Sequence, residues 1–334
     1  MIIQECALRE LGFKIFIVAG LADFVARDVV NPLVLAELDG IPSHGFSRVP
    51  FYIDQIRSGK VNSKAVPVVS QPAPALVRVD ACHGLAFPAI AQGLQKTLTV
   101  ARINGLALLG VTRSHHSGCM GHWVESMARE GLLALAFTNS PAAMMPWKGN
   151  KATFGTNPIA FGCPRGSFDP LVVDMALSKV ARGQIVNAKE KGETSIPEGW
   201  AVDADGKPTT DPEAALKGST IPMGDAKGAA LAMMVEILAA TVNGANYGYE
   251  ASSFFDPDGP APGIGQTFFL LDVQRLNASF ANQVQALCTF ILKQPGTRIP
   301  GVRRFETRAK SRIQGVNLPD SLYEKLHNLA DGKY

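Results

Sequence analysis

Apolar residues recur at intervals of three and four along much of this chain, and short apolar runs bounded by glycine alternate with those stretches, a pattern that predicts helices interspersed with buried strands. Residues 5–40 read as helical: Val25, Val29, Val30, Leu33, Val34, Leu35 and Leu38 form one stripe, which Pro32 is expected to break or restart. The helical pattern resumes over 49–58 with Phe51, Tyr52, Ile53 and Ile56, and Gly59 supplies its stop. Residues 61–73 read as an extended connection, 75–80 as a strand, 87–104 as a helix and 105–111 as a buried strand, with a domain boundary near residue 70. A polar turn over 112–122 leads into a helix over 123–130, and 132–138 is again a strand.

Farther along, 154–158 is a polar turn, 159–161 a short apolar segment, and 171–174 a strand opening into a helix that passes Arg182 and Gly183 to reach 189. Residues 190–224 are rich in Gly, Pro, Asp and Lys and read mostly as loop, whereas 226–242 is a strong helix. A Gly- and Pro-rich loop over 257–265 precedes a strand (267–272) and a helix (280–292). Then come a loop carrying Arg298, Arg303 and Arg304 and a closing helix over 318–330.

Composition narrows the class. The 334 residues are 46% hydrophobic and 18% charged, enough for one large core or two and unlike a disordered chain. The net charge of +3 comes from 32 basic and 29 acidic residues without a basic block, so no nucleic-acid partner is expected. Five widely spaced cysteines with no Cys-x-x-Cys pair read as reduced thiols. The first residues lack a basic region before an apolar run, and the apolar run 15–22 is too short for a bilayer; a cytoplasmic protein without a membrane partner is expected.

Candidate chemistry starts at residues 41–48, where Ser43, His44 and Arg48 fall within six positions. If a helix starts here, Ser43 is its natural N-cap and Arg48 lies about one turn beyond His44, so both can face one cavity. An imidazole can move a proton near neutral pH, and a guanidinium fork matches a carboxylate. The same residues also read as a cap, a satisfied polar group and a surface charge. The turn after the strand ending near 111 could meet phosphate through its backbone N–H groups. Lys227, in a helix's first turn, opposes the dipole and asks for a reason such as a bound anion. Arg298, Arg303 and Arg304 read as a solvated loop or as an anion clamp for a nucleotide phosphate.

Several familiar signatures are missing. Gly263-Ile264-Gly265 sits late and lacks a third glycine, Gly224-Asp225-Ala226-Lys227 is no phosphate-binding P-loop, and neither Gly-x-Ser-x-Gly nor His-Glu-x-x-His occurs. The rival from another class is a metal hydrolase or lyase built on His115, His116 and His122, although adjacent histidines point apart and at most one could join His122. A non-catalytic binding protein fits less well, because the polar clusters fall at the ends of buried strands.

In order, the chain carries Ser43-His44-Gly45 with Arg48, Ser114-His115-His116, Asn139-Ser140, Phe154-Gly155-Thr156-Asn157-Pro158, Asp174-Met175-Ala176 and Arg182-Gly183. The stretch from Ile196-Pro197-Glu198-Gly199-Trp200 to Thr209-Thr210-Asp211-Pro212 belongs with them. Together these resemble the malate/L-lactate dehydrogenase-like oxidoreductases over roughly residues 20 to 330. That family is distinct from the Rossmann lactate and malate dehydrogenases and includes ureidoglycolate, sulfolactate and diketogulonate enzymes and the Δ1-piperideine-2-carboxylate/Δ1-pyrroline-2-carboxylate reductases.

The resemblance implies an α/β fold with a large mixed sheet, a helical domain from both chain ends (1–70 with 309–334), a cofactor-binding and catalytic domain over 71–308, and a homodimer. It implies NADPH, or else NADH, as hydride donor. By motif position His44 is the proton donor, Ser43 its relay partner and Arg48 the clamp on a substrate carboxylate, with Thr156 also at the substrate. The cofactor is implied to touch His116, Ser117, Gly118, Cys119, Met120, Ser140, Asp174, Met175, Ala176, Arg182 and Gly183. The implied set extends to Asp225, Lys227, Arg298, Gly301, Arg303 and Arg304, with no metal. In the cyclic-imine reductases an Asp follows the pair matching Arg182-Gly183; here Gln184 stands there, and a neutral amide cannot stabilise a charged imidazole as a carboxylate does. The expected reaction is reduction of a cyclic imino acid to proline or pipecolate, with an open-chain 2-oxo acid giving malate or lactate as the alternative.

Overall fold

The computed structural model describes residues 1–333, apart from the side chains of residues 187 and 190. The chain starts with β1 (Ile2–Ile3) and the helices α1 (Glu5–Val18), α2 (Asp23–Leu38) and α3 (Val49–Ser58). Pro32 lies inside α2 without ending it, because the buried Val29, Val30, Leu33 and Val34 around it offset the one lost hydrogen bond. Ser43 caps no helix: it sits within a single 3-10 turn, Pro42–His44, ahead of a second, Phe46–Arg48. α3 stops at Gly59, whose φ of +82° is the left-handed cap expected there.

Next come β2 (Val68–Ala73) and β3 (Leu76–Asp80), then α4 (Ala86–Asn104), β4 (Leu106–Ser114), α5 (Met120–Arg129) and β5 (Leu133–Thr138). The strand β4 takes in residues 112–114, which the polarity of the sequence assigns to the turn. β6 (Ile159–Arg165) and β7 (Phe168–Met175) form an antiparallel hairpin longer than the apolar segments predict.

The stretch 190–224 is not mostly loop. After α6 (Arg182–Glu190) it holds β8 (Ala201–Val202), β9 (Pro208–Thr209), α7 (Pro212–Lys217) and β10 (Ser219–Thr220), and β10-β8-β9 pair as a small sheet. Val180, Ile185, Ile196, Ala201 and Ala215 form a core of their own beneath it. Two-residue strands carry no readable period, which is why the pattern misses them.

α8 (Ala226–Glu236) runs into a π-turn at Ile237–Thr241, followed by β11 (Ile264–Leu271), α9 (Phe280–Leu292), α10 (Val302–Gln314), β12 (Val316–Asn317) and α11 (Asp320–Ala330). α10 is the second correction: Arg303 and Arg304 lie in its first turn, not in a loop. Its inward face is built from Arg304 and Arg308 on buried carboxylates, so no apolar stripe announces it.

The large sheet has the order β2-β3-β4-β11-β5-β6-β7, with β3 and β4 parallel and every other pair antiparallel. Side chains alternate across it. Ala134 and Ala136 of β5 pack with Ile90, Leu94, Val124 and Met127 from α4 and α5, whereas Phe137 and Leu135 pack with Ala232 and Val235 of α8. Both chain ends share another core, in which Leu326 and Leu329 meet Phe16, Leu33 and Tyr52, and β1 pairs with β12. This is the α/β architecture with a helical unit made from both termini. Among the described residues no helix is long and apolar enough to cross a membrane.

Candidate active site

The two 3-10 turns meet at Gly45, where a Cβ would fall on the Glu37 carboxylate that accepts a hydrogen bond from the Phe46 N–H at 2.6 Å. This close approach turns the backbone so that the three polar side chains converge. Ser43 Oγ and His44 Nδ1 lie 3.1 Å apart, and Arg48 Nε donates to the Ser43 carbonyl at 2.7 Å. Arg48 Nη1 is buried with no hydrogen-bond partner. A buried guanidinium nitrogen without an acceptor is costly, and an anion is what it lacks.

The residues at the end of β4 come to the same place. The rings of His44 and His116 have centroids 5.4 Å apart, and Tyr52 Oη and His116 Nδ1 are 2.6 Å apart. His115 Nε2 donates to Gln55 Oε1 at 2.9 Å, leaving its Nδ1 buried and unpartnered. Desolvation, followed by the charges of Arg48 and His122, pushes the pKa of His44 down to about 3. Burial, then Lys60 and Arg48, does the same to His115, also to about 3, and burial leads the causes that hold His116 well below the usual range.

The third histidine goes elsewhere. His122 Nε2 pairs with Asp39 at 2.9 Å inside a buried network with Arg304, Arg308 and Glu125. The metal-site alternative is corrected by this divergence: Gln55, Tyr52 and Asp39 each claim one imidazole. Among the described residues no group of three or more His, Cys, Asp or Glu is placed to hold a metal ion.

The neutral imidazoles have a consequence for stability. An unfolded chain protonates histidine near pH 6.5, whereas the buried His115 and His116 resist it, so stability is expected to fall as pH drops from 6.5 toward 3. Each ring contributes up to about 1.4 kcal/mol per pH unit. Urea titrations between pH 7 and pH 5, above the carboxylate range, measure it; an unfolding free energy that stays flat there contradicts the burial argument.

The remaining predicted contacts fall into groups. Residues 115–119 link β4 to α5, with Gly118 at φ +68° and Met120 opening the helix. Asp174, near the end of β7, accepts from the Gly121 N–H at 2.7 Å, so the α5 N-terminus meets a carboxylate of the chain itself. A Cβ at Gly121 would also strike Arg304. Arg304 thus reaches the predicted neighbourhood, yet its guanidinium is held by Asp39 at 3.2 Å and Glu125 at 3.1 Å, which corrects its reading as a free anion clamp. Arg298 and Arg303 are exposed, and Gly301, at φ +88°, caps α10 against Val172.

Ser140 Oγ accepts from the Thr156 N–H at 3.2 Å, and the Thr156 carbonyl accepts from the N–H of Leu177, so 140 and 156 are knit to the residue that follows Met175-Ala176. Arg182 donates to the Leu216 carbonyl at 2.6 Å in the small unit, with Gly183 beside it facing open space. Among the described residues no hydrogen bond, ion pair or ring contact joins Thr156, Arg182 or Gly183 to His44. Asp225 precedes α8 at φ +58° and gives it no side-chain cap, and exposed Lys227 follows with no acid in the first turn.

Residues that sequence reasoning misses are Gln55, Lys60, Phe254 and Phe255. Gln55 Nε2 donates to the Phe254 carbonyl at 2.7 Å, and Phe255 lies against Arg48, ring centroid to Cζ 4.4 Å. A signal exists for Gln55 alone: an amide on the apolar face of α3, between Tyr52 and Ile56.

The family described as malate/L-lactate dehydrogenase matches residues 3–327. The chain is 48% identical over 311 residues to the (2R)-3-sulfolactate dehydrogenase (NADP(+)) of Chromohalobacter salexigens, covering 93% of this chain and 92% of that one. It is 39% identical over 325 residues to a Δ1-pyrroline-2-carboxylate/Δ1-piperideine-2-carboxylate reductase of Pseudomonas syringae pv. tomato, covering 97% and 94%. The crystal structure of Δ1-piperideine-2-carboxylate reductase from the same organism superposes with a TM-score of 0.93 at 37% identity, over 98% of this chain and 99% of that one.

Proposed function

The chain belongs to the malate/L-lactate dehydrogenase family and is an oxidoreductase, and on that premise we propose that it reduces C2 of a small 2-oxo acid, with a sulfonated acid such as 3-sulfopyruvate leading. The observation that carries the reading is the buried, unpartnered Nη1 of Arg48 beside His44. It supports a carboxylate on Arg48 with the reacting carbon close to the imidazole. The 48% identity to a sulfolactate dehydrogenase, and Gln184 in place of a carboxylate, favour a 2-oxo acid over a cyclic imine. The second reading, a cyclic imino acid giving proline or pipecolate, is favoured by the 39% identity to an enzyme of that name.

NADPH, when bound, supplies the hydride. Support for such a group comes from α8, whose N-cap residue Asp225 makes no side-chain cap and whose first turn holds no acid while Lys227 stands exposed in it. Lys227 with Arg303 or Arg298 would hold its phosphates, and residues 116–120 would line its other end. For the chain itself, Arg48 orients the carboxylate and His44 delivers a proton to the substrate oxygen, while Ser43 holds Nδ1 so that Nε2 is the nitrogen left to act. A homodimer is part of the proposal, supported by α9, where Leu287, Phe290 and Leu292 are exposed and Cys288 alone is buried; a one-chain sedimentation mass would remove it.

Loss of NADPH absorbance with a panel of 3-sulfopyruvate, oxaloacetate, pyruvate and both cyclic imines is the test. The expected outcome is the highest kcat/KM for the sulfonated acid. Preference for a cyclic imine selects the second reading, and no turnover with any member ends both.

A further inference from the structure

Residues 253–258 come back to the start of the chain across almost two hundred positions, and three side chains of α3 and its exit fix them there. Lys60 Nζ donates to the main-chain carbonyls of Ser253 at 2.8 Å, Asp256 at 2.7 Å and Asp258 at 2.9 Å. Gln55 holds the Phe254 carbonyl, and Ser58 Oγ donates to that of Pro257 at 2.8 Å. Lys60 is only 5% exposed. An ammonium spends its three donors on three carbonyls here, so its role is to shape the loop rather than to pair with an acid.

What the loop presents is aromatic. The ring of Phe254 lies 5.1 Å from that of His115 and 5.3 Å from that of His116, and Phe255 sets its ring face against Arg48, Cζ to centroid 4.4 Å, while leaning edge-on against Phe51 at 5.3 Å. Phe255 is nonetheless 50% exposed, so its other face is free. The N–H donors of a guanidinium lie in its plane, so an incoming carboxylate pairs with Arg48 through an edge and comes to rest beside the Phe255 ring.

We propose that residues 253–258 are a wall of the substrate site, with Phe255 a specificity-determining residue on Arg48 and Lys60 the positioning residue that holds the wall in place. This rests on reading Arg48 as the carboxylate anchor. It predicts that the carbonyl cage left by a shortened Lys60 accepts a small ammonium ion, because three oxygens already arranged around one cationic nitrogen need no rebuilding.

The full-length Lys60→Met, Lys60→Ala and Phe255→Ala variants test it, with circular dichroism to show that each is folded. Lys60→Met is expected to raise KM for the preferred acid about ten-fold, with kcat and KM for NADPH within about two-fold. In Lys60→Ala, methylammonium is expected to bring KM back toward the wild-type value, and sodium at equal ionic strength is not. Phenylglyoxal labelling of Arg48, read by peptide mass, is expected to run several-fold faster in Lys60→Met and Phe255→Ala, and this readout needs no turnover. Folded variants with unchanged Arg48 labelling overturn the wall, as does a Lys60→Met enzyme whose kcat and cofactor KM change along with the acid's KM. If the wild type reduces no acid of the panel, the reading of the reaction has failed, while the labelling still decides whether residues 253–258 cover Arg48.

Discussion

Replacing His44 by alanine is expected to lower kcat for the 2-oxo acid about 10³-fold while the affinity for NADPH changes by about two-fold or less. The size follows from losing the proton donor to an oxygen on which negative charge develops. The free chain does not hold that proton in readiness, since desolvation, Arg48 and His122 depress the ring's pKa to about 3. The substrate has to bring the condition for protonation with it. A carboxylate paired with Arg48 cancels one of these causes and puts negative charge next to the imidazole, so proton uptake accompanies binding and kcat/KM is expected to fall as pH rises. Whatever activity remains in His44→Ala is expected to lack that pH dependence. Arg48→Lys belongs to the same test: a point charge replaces a planar fork, so KM rises about ten-fold or more with a smaller loss in kcat. Steady-state kinetics against pH, with fluorescence titration of NADPH, read all of these. Wild-type turnover in His44→Ala would take the imidazole out of the mechanism.

Local features of this site are legible in the sequence because they are local. Ser43, His44 and Arg48 lie within one short segment, and the glycine that lets them converge stands between them. The helices of the core show their stripes for the same reason, and so do the apolar strands β4 and β5. Legibility ends where a polar residue meets a partner far along the chain. Gln55 and Phe254 are 199 positions apart, and Lys60 and Asp256 are 196 apart. The spacing of the amide on the apolar face of α3 marks it as buried but does not name its partner, and the lysine shows neither. The same holds for α10, whose buried face consists of arginines and whose carboxylate partner Asp39 is 269 positions away. A hydrophobic pattern registers apolar burial only, so ionic burial reads as surface and a helix becomes a loop.

That ionic network carries the second large effect: Arg308→Met is expected to destabilise the protein by about 3–5 kcal/mol, out of the 5–15 typical of a folded domain. Arg308 binds Asp39 at 2.6 and 2.9 Å and Glu125 at 2.7 and 2.8 Å, and both carboxylates are almost fully buried. Burial raises the pKa of each, but the hydrogen bonds to Arg308, joined by His122 at Asp39, outweigh it and leave both below the usual range. Removing the guanidinium strands two charges that cannot reach water, whereas Arg304 and Arg129 compensate only in part. The loss is not confined to one helix, because Asp39 follows α2, Glu125 lies on α5 and Arg308 on α10, so the network ties the terminal helical unit to the large sheet. Urea unfolding is expected to show a lower midpoint at unchanged slope. Asp39→Asn combined with Arg308→Met is expected to cost less than the sum of the two single changes, since the second removes a charge the first has already left without its partner. A single-variant loss below about 1 kcal/mol, or simple additivity of the pair, would mean that water reaches these carboxylates and that the packing of α10, not its arginines, holds the two units together.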